Sequence, residues 1–227
     1  MISLLTPTRG RPKRCYEMAV SAAEMADGEP ELVLVVDADD PEADLYADVD
    51  WPLPTVFRVM PTRQWPPVKW NEAARLATGD VMFTGQDDVL FRTPHWDTEV
   101  EEAFAEWPDR LVLVYTRNGK QDGRFATYPF LSRRWVDELG YFMPEQFVGD
   151  FCDGWVFDIA KRVLRTHFLE DVLIEHMHPA FGKAERDRTH REYRAANESS
   201  GGAQLFRDTE DQRADEARKL QRVIDDG

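Results

Sequence analysis

The run Gly79-Asp80-Val81-Met82-Phe83-Thr84-Gly85-Gln86-Asp87-Asp88 places adjacent carboxylates directly after a short apolar segment. Val81 to Thr84 reads as a buried strand, and the carboxyl edge of an α/β sheet is where ligands bind. Hard divalent cations take carboxylate oxygens and often share their coordination with substrate phosphates, so Asp87-Asp88 offers the protein half of such a site. A second set is His176-Met177-His178-Pro179, at the end of the run Val172 to His178. On a strand, i and i+2 point the same way, so both imidazoles face one site, and imidazole is a common metal ligand. A third set, Gly149-Asp150-Phe151-Cys152-Asp153-Gly154-Trp155, puts two carboxylates just ahead of a helical face. Each set also has a plain structural reading. Acids can polarise a turn, Asp150 or Asp153 can cap the following helix, and a histidine can be a core residue.

The elements that must hold these groups follow from the apolar spacing. Ile2 to Thr6 reads as a strand stopped at Pro7, and Pro12 suits the first turn of a helix whose face is Cys15, Met18, Ala19 and Ala22. Leu32 to Val36 is a second uninterrupted apolar run, closed by Asp37-Ala38-Asp39-Asp40, as expected of a parallel strand covered on both faces. Thr55 to Met60 is a third strand; Trp70, Ala73, Ala74 and Ala77 mark a helix ended by Gly79. This alternation predicts an α/β fold with a mainly parallel central sheet flanked by helices. The second half is mixed: a helix from Trp96 to Trp107, a strand from Leu111 to Tyr115, and a short helix capped by Ser132 and ended at Gly140. Val156, Ile159, Ala160 and Val163 form another helical face. From Lys183 onward the chain is charged and poor in large apolar residues, so one domain over 1–182 and a partly helical, loosely held tail over 183–227 are expected.

Composition narrows the function classes. The 227 residues suit one generous domain, and no apolar run is long enough to span a bilayer. The net charge of −15 argues against a broad nucleic-acid-binding surface, although Arg9, Arg11, Lys13 and Arg14 could form a small basic pocket. Cys15 and Cys152 have no metal or disulfide spacing, and the first residues lack a secretory pattern, so reduced thiols in a cytoplasmic protein are expected. No G-x-G-x-x-G follows a predicted strand, which sets aside a Rossmann oxidoreductase. The seven tryptophans read mostly as core or groove wall, and His95 and His167 have no partner at a telling spacing.

Taken in order, Leu5-Thr6-Pro7-Thr8-Arg9-Gly10-Arg11-Pro12, Leu34 to Asp40, the helix Lys69 to Ala77 and Gln86-Asp87-Asp88 resemble the GT-A fold glycosyltransferases, particularly the large inverting group called family two. The resemblance covers residues 2 to 95 as a nucleotide-sugar half and extends more faintly to about residue 180, with 96–182 as the acceptor half. It implies a Rossmann-like GT-A fold and a nucleoside diphosphate sugar, UDP- or GDP-linked, as donor. Thr6, Pro7, Thr8 and Arg9 would line the nucleotide, Asp37 would accept a hydrogen bond from the base with Asp39 nearby, and Lys69 and Asn71 would sit at the pocket edge. Gln86, Asp87 and Asp88 occupy the D-x-D positions, with Asp88 as the ligand of Mn²⁺ or Mg²⁺ and His176 or His178 completing the shell. The departure is Gln86, an amide in the first motif position, which can still hydrogen-bond a ribose hydroxyl. The acidic segment at 149–155 resembles the source of the catalytic base, Asp153 or alternatively Asp150. Lys183 and Arg186 stand just beyond as candidate phosphate contacts.

The expected activity is therefore metal-dependent, hexosyltransferase-like transfer to an acceptor hydroxyl with inversion. The acceptor stays open among a saccharide, a protein, a small molecule and a modified DNA base. A non-catalytic binding module is the alternative that Gln86 keeps alive; a sugar nucleotidyltransferase ranks lower because the first turn has a single glycine, Gly10.

Overall fold

The computed structural model describes residues 1–226, apart from the side chain of Ala180. Its first half alternates strand and helix: β1 (Ile2–Pro7), α1 (Pro12–Met25), β2 (Glu31–Asp37), α2 (Ala43–Ala47), β3 (Thr55–Met60), α3 (Pro66–Leu76) and β4 (Val81–Thr84). A short β5 (Val89–Phe91) follows, then α4 (Trp96–Ala105), β6 (Leu113–Arg117), β7 (Phe130–Ser132) and α5 (Arg133–Leu139). The remainder is α6 (Cys152–Arg162), the long β8 (Thr166–His176), and three helices, α7 (Arg188–Ser199), α8 (Gly202–Asp208) and α9 (Glu210–Asp226).

The strands form one sheet in the order β3-β2-β1-β4-β7-β6-β8-β5. β3, β2, β1 and β4 run parallel, whereas β7 is antiparallel to both β4 and β6, so the sheet is parallel in its first half and mixed in its second. All residues of β1, β2 and β4 are buried, because helices cover both faces. Alternate side chains divide between two cores. Leu5, Val33, Val35 and Met82 pack with Trp70 of α3 and Trp155 of α6, while Leu4, Leu32, Leu34 and Phe83 pack with Met18 of α1 and Trp96 of α4.

Two devices hold the carboxyl ends of β1 and β4 together. The indole Nε1 of Trp70 donates to the carbonyl oxygens of Leu5 at 3.1 Å and Gly85 at 3.0 Å. Gly85 itself lies so close to β1 that a Cβ there would be 2.8 Å from the Leu5 carbonyl oxygen and 2.5 Å from Thr6 Oγ1. A glycine is required because backbone meets backbone at the turn that presents Gln86, Asp87 and Asp88.

The segment after residue 183 differs from the loose tail expected of it. In α9, Arg213, Ala217 and Leu220 are buried, and Arg213 donates to Asp158 of α6 at 2.8 Å and to the Phe206 carbonyl at 2.7 Å. Its guanidinium also lies over the Trp155 ring, 5.1 Å from the centroid. A charged sequence thus packs because one arginine spreads its stem and plane over aromatic rings while its head stays paired. Helix α7 has no buried residue and reaches the body through polar contacts.

Gly85→Ala is expected to lower unfolding stability by about 1–3 kcal/mol, since the methyl must displace main chain rather than a flexible side chain. Urea denaturation, read as a lower midpoint with an unchanged slope, checks this.

Candidate functional site

The carboxyl ends of β1 and β4, the start of α6, the end of β8 and one face of α7 surround a cavity of about 320 Å³. Within it, Asp87 is fixed by Thr8 Oγ1, which donates at 2.7 Å, and by the Arg11 guanidinium at 2.8 Å. Burial pushes the Asp87 carboxyl up, against the pull of Arg11. Arg11 also forks onto Asp187, its Nε at 2.7 Å and its other nitrogen at 2.9 Å, so one guanidinium joins the β4 tip to the turn that starts α7. Tyr46 supports both: its hydroxyl accepts from the Arg11 main-chain N–H at 2.8 Å and shares a hydrogen bond with Thr8 Oγ1 at 3.0 Å.

Asp88 is placed differently. β5 begins directly after it and pairs antiparallel with β8, with Val89 opposite His176. That register brings His176 Nε2 to 3.4 Å from Asp88 Oδ2, and the Asp88 carbonyl accepts from Met177 N–H at 2.7 Å. Burial pushes the Asp88 carboxyl up, but the His176 imidazole and Arg11 outweigh it and hold the group below its ordinary value. β8 stops at His176, so His178 lies beyond the strand instead of alternating along it. Its ring nevertheless sits 4.9 Å from that of His176, and its Nε2 is 2.9 Å from His190 Nε2 on α7.

Asp150 and Asp153 line the same cavity. Neither side chain caps α6: the cap residue is Phe151, held at φ 76°, and it makes no side-chain cap hydrogen bond. Asp153 falls in the first turn, accepts from Gly154 N–H at 2.8 Å, and is pushed up to about 7 by burial, with Asp150 adding to the effect. Asp150 accepts a hydrogen bond from the Tyr193 hydroxyl of α7 at 3.0 Å. A carboxyl that titrates near neutrality beside a cavity is suited to accepting a proton.

The other residues singled out in the sequence separate into wall and support. Pro7, Thr8, Arg9, Lys69, Gln86 and Asp87 line the cavity. Thr6 and Asp37 are fully buried and do not. Both Asp37 oxygens are engaged, Oδ2 by Lys69 Nζ at 3.1 Å and Arg9 at 3.4 Å, Oδ1 by Gln64 N–H at 2.9 Å. Asp39 is exposed and paired with Arg9 at 2.7 Å. Asn71 lies behind the cavity, where its amide donates to the Met143 carbonyl and accepts from the N–H groups of Phe142 and Met143 at 2.8–2.9 Å. Lys183 pairs with Glu175 at 2.7 Å, and Arg186 is exposed outside the cavity wall.

Sequence reasoning did not single out Tyr46, Tyr128, Asp187, Thr189, His190 or Tyr193. The last four come from the segment read as a tail, and their one signal is the i, i+1, i+4 spacing of Thr189, His190 and Tyr193 on a helix capped by Asp187, which accepts from His190 N–H at 2.8 Å.

The cavity also collects unpaired polar atoms. Seven buried side-chain nitrogens or oxygens lack a hydrogen-bond partner among the described residues, and four of them, on Asp88, Tyr128, His176 and His190, belong to its wall. Native interiors leave few such groups, so their concentration here marks a site shaped for a polar ligand. A wider hollow of about 650 Å³ behind α3 and α5 lacks this feature; there Tyr141 and Trp155 both donate to Glu216.

No protein-family model matches the chain, and no curated protein matches it by sequence. Solved structures do match. A mannosyltransferase from Pyrobaculum calidifontis, in complex with GDP-Man and Mn²⁺, superposes with a TM-score of 0.64 at 17% identity over 91% of this chain. S. aureus TarS in complex with UDP-GlcNAc gives 0.60 at 16% identity over 85% of this chain. The fold is a GT-A-like glycosyltransferase fold. The chain spans 64% of the mannosyltransferase and 36% of a longer TarS structure, less than two thirds of either. Within the GT-A-like fold, the strand tips and the start of α6 are the parts that meet at the cavity.

Asp153 gives a stability test independent of any ligand. Its folded-state value near 7 lies above the ordinary 3.8, so its contribution is fully present below about pH 4 and is lost as pH rises through about 7. Asp153→Asn removes that loss. Its melting temperature relative to the original protein is expected to rise steadily between about pH 4 and pH 7 and then level off, as followed by differential scanning calorimetry.

Proposed function

We propose that this chain is a glycosyltransferase that moves a sugar from a nucleoside diphosphate donor to an acceptor hydroxyl. The observation that carries the reading is the placement of Asp88 and Asp153 around one cavity of a GT-A-like fold, one carboxyl held ionised and the other titrating near neutrality. The solved neighbours with GDP-Man and UDP-GlcNAc support a sugar nucleotide as donor.

In this reading Pro7, Thr8, Arg9 and Lys69 form the nucleotide wall. Asp37 acts through them, holding Lys69 and Arg9 in place, and Asn71 fixes the loop at 142–143 from behind. Gln86 offers its amide to a ribose hydroxyl. Asp153 takes the proton from the acceptor hydroxyl as that oxygen attacks the anomeric carbon opposite the departing nucleoside diphosphate, which gives inversion. Asp150 is the alternative base, but its oxygen is already engaged by Tyr193.

The fold family implies a divalent cation. No group of three or more His, Cys, Asp or Glu among the described residues is arranged to hold one by itself. Asp88 Oδ1, which has no hydrogen-bond partner among the described residues, and His176 Nε2, 3.4 Å from Asp88 Oδ2, are nonetheless an oxygen and a nitrogen donor side by side, a set that suits Mn²⁺ or Mg²⁺ once phosphate oxygens fill the other positions. Asp88 and His176 would hold the ion, with His178 as the adjacent reserve, and when bound it would neutralise charge on the leaving diphosphate. No helix among the described residues is long and apolar enough to cross a membrane. Cys15 and Cys152 are buried free thiols, which supports a cytoplasmic setting.

Calorimetry with GDP-mannose and UDP-GlcNAc in the presence of Mn²⁺ is expected to show binding that chelation or Asp88→Asn weakens at least tenfold. Asp153→Asn should keep donor binding and lose roughly 10²–10⁴-fold in turnover. The rate in the original protein should rise with pH and level off above about 7, where Asp153 is ionised. Binding of neither sugar nucleotide would sink the reading, and binding without turnover that Asp153→Asn leaves untouched would favour a carbohydrate-binding module.

A further inference from the structure

Four unpaired polar atoms belong to residues of the cavity wall, and the proposed chemistry uses two of them. That scheme gives Asp88 and His176 to a cation, whereas the Tyr128 hydroxyl has no role in it. Tyr128 is 3% exposed, lines the cavity, and leaves its oxygen without a protein partner. A buried phenol without a partner is unfavourable, and a ligand hydroxyl that pairs with it removes that penalty.

The position is set firmly. Tyr128 lies two residues before β7, and the next carbonyl, that of Pro129, accepts from both Thr84 N–H at 3.1 Å and Thr84 Oγ1 at 2.9 Å. On the other side, Thr127 Oγ1 accepts from Asn118 at 2.8 Å. The ring packs edge-on to His176 with centroids 5.1 Å apart. Asp153 and Phe151 line the same cavity, and the charges of Asp88 and Asp153 both act on the phenol, so it lies within reach of the cation corner and of the proton-accepting corner. In a transfer between those two corners, the group lying along this wall is the sugar ring itself.

We infer that the Tyr128 hydroxyl is a specificity-determining contact to a hydroxyl of the transferred pyranose, selecting a donor that carries that hydroxyl over its deoxy analogue. The inference rests on the glycosyl-transfer reading above. A site that satisfies a buried phenol with a substrate hydroxyl rejects the analogue lacking it, because the phenol is then left unpaired again.

The test compares Tyr128→Phe with the original protein, using UDP, GDP, UDP-GlcNAc, GDP-mannose and the monodeoxy forms of whichever sugar nucleotide binds. In the original protein, one sugar nucleotide should bind more tightly than its bare nucleoside diphosphate. Tyr128→Phe should keep affinity for UDP and GDP within about twofold and lose roughly 10- to 100-fold in kcat/KM for donor hydrolysis. One monodeoxy donor should suffer the same loss with the original protein and no further loss with the variant, a coupling that a purely structural phenol would not show. A melting temperature at or above that of the original protein confirms that the variant folds, since the substitution removes the orphaned hydroxyl. If UDP and GDP affinity fall in parallel with the sugar nucleotide, or if kcat/KM is unchanged, this inference is overturned while the glycosyl-transfer reading stands. If the original protein binds none of these ligands, the reading beneath it fails as well.

Discussion

Carboxylates that end buried parallel strands must be compensated, and the way this chain compensates three of them organises everything around the cavity. Asp37 meets Lys69 and Arg9, and Asp87 meets Arg11 and Thr8, while Asp88 has the His176 imidazole 3.4 Å away and feels Arg11 and His178 only through their charge. Removing one member of a buried pair typically costs 3–5 kcal/mol, because the remaining charge is stranded in a poor solvent. The first two aspartates are therefore spent on structure. The third keeps an oxygen without a hydrogen-bond partner, and that asymmetry sets it apart from the other two.

Arg11 extends the arrangement beyond the sheet. Burial works against its charge, but the Asp87 carboxylate outweighs that and keeps it fully protonated. Because the same guanidinium also grips Asp187, the α7 helix is registered against the β4 tip by an ion pair with little exposed surface. Thr189, donating to the Arg9 carbonyl at 2.9 Å, and the His178–His190 contact repeat the connection at two further points.

Much of the parallel half was legible in the sequence, because buried strands there are short unbroken apolar runs bounded by proline, glycine or acids. β3 and β4 fall where the pattern puts them, and Ser132 caps α5 as its type predicts, accepting from Trp135 N–H at 3.1 Å. β5 and β7 went unread, since three-residue strands carry no period. α9 was hidden by Arg213, a residue whose type signals surface but whose stem and plane are buried. At the site, Asp88, Asp153 and His176 could be picked out by type and by their place at element ends. Asp37 and Asn71 could also be picked out, yet what they touch depends on neighbours distant in the chain, Gln64, Lys69 and Met143 among them. Tyr128 could not, because an orphaned phenol looks like any other core aromatic until its surroundings are known.

Helix α7 reaches the cavity without burying a single residue in either core. Exposed positions away from special contacts usually tolerate exchange within about 0.5 kcal/mol. The outward positions of this helix can therefore be rewritten at almost no thermodynamic risk, whereas the strand tips beneath it cannot. Its cavity-facing residues Thr189, His190 and Tyr193 are instead tied to Arg9, His178 and Asp150, so one helix carries a freely variable outer face and a constrained inner one.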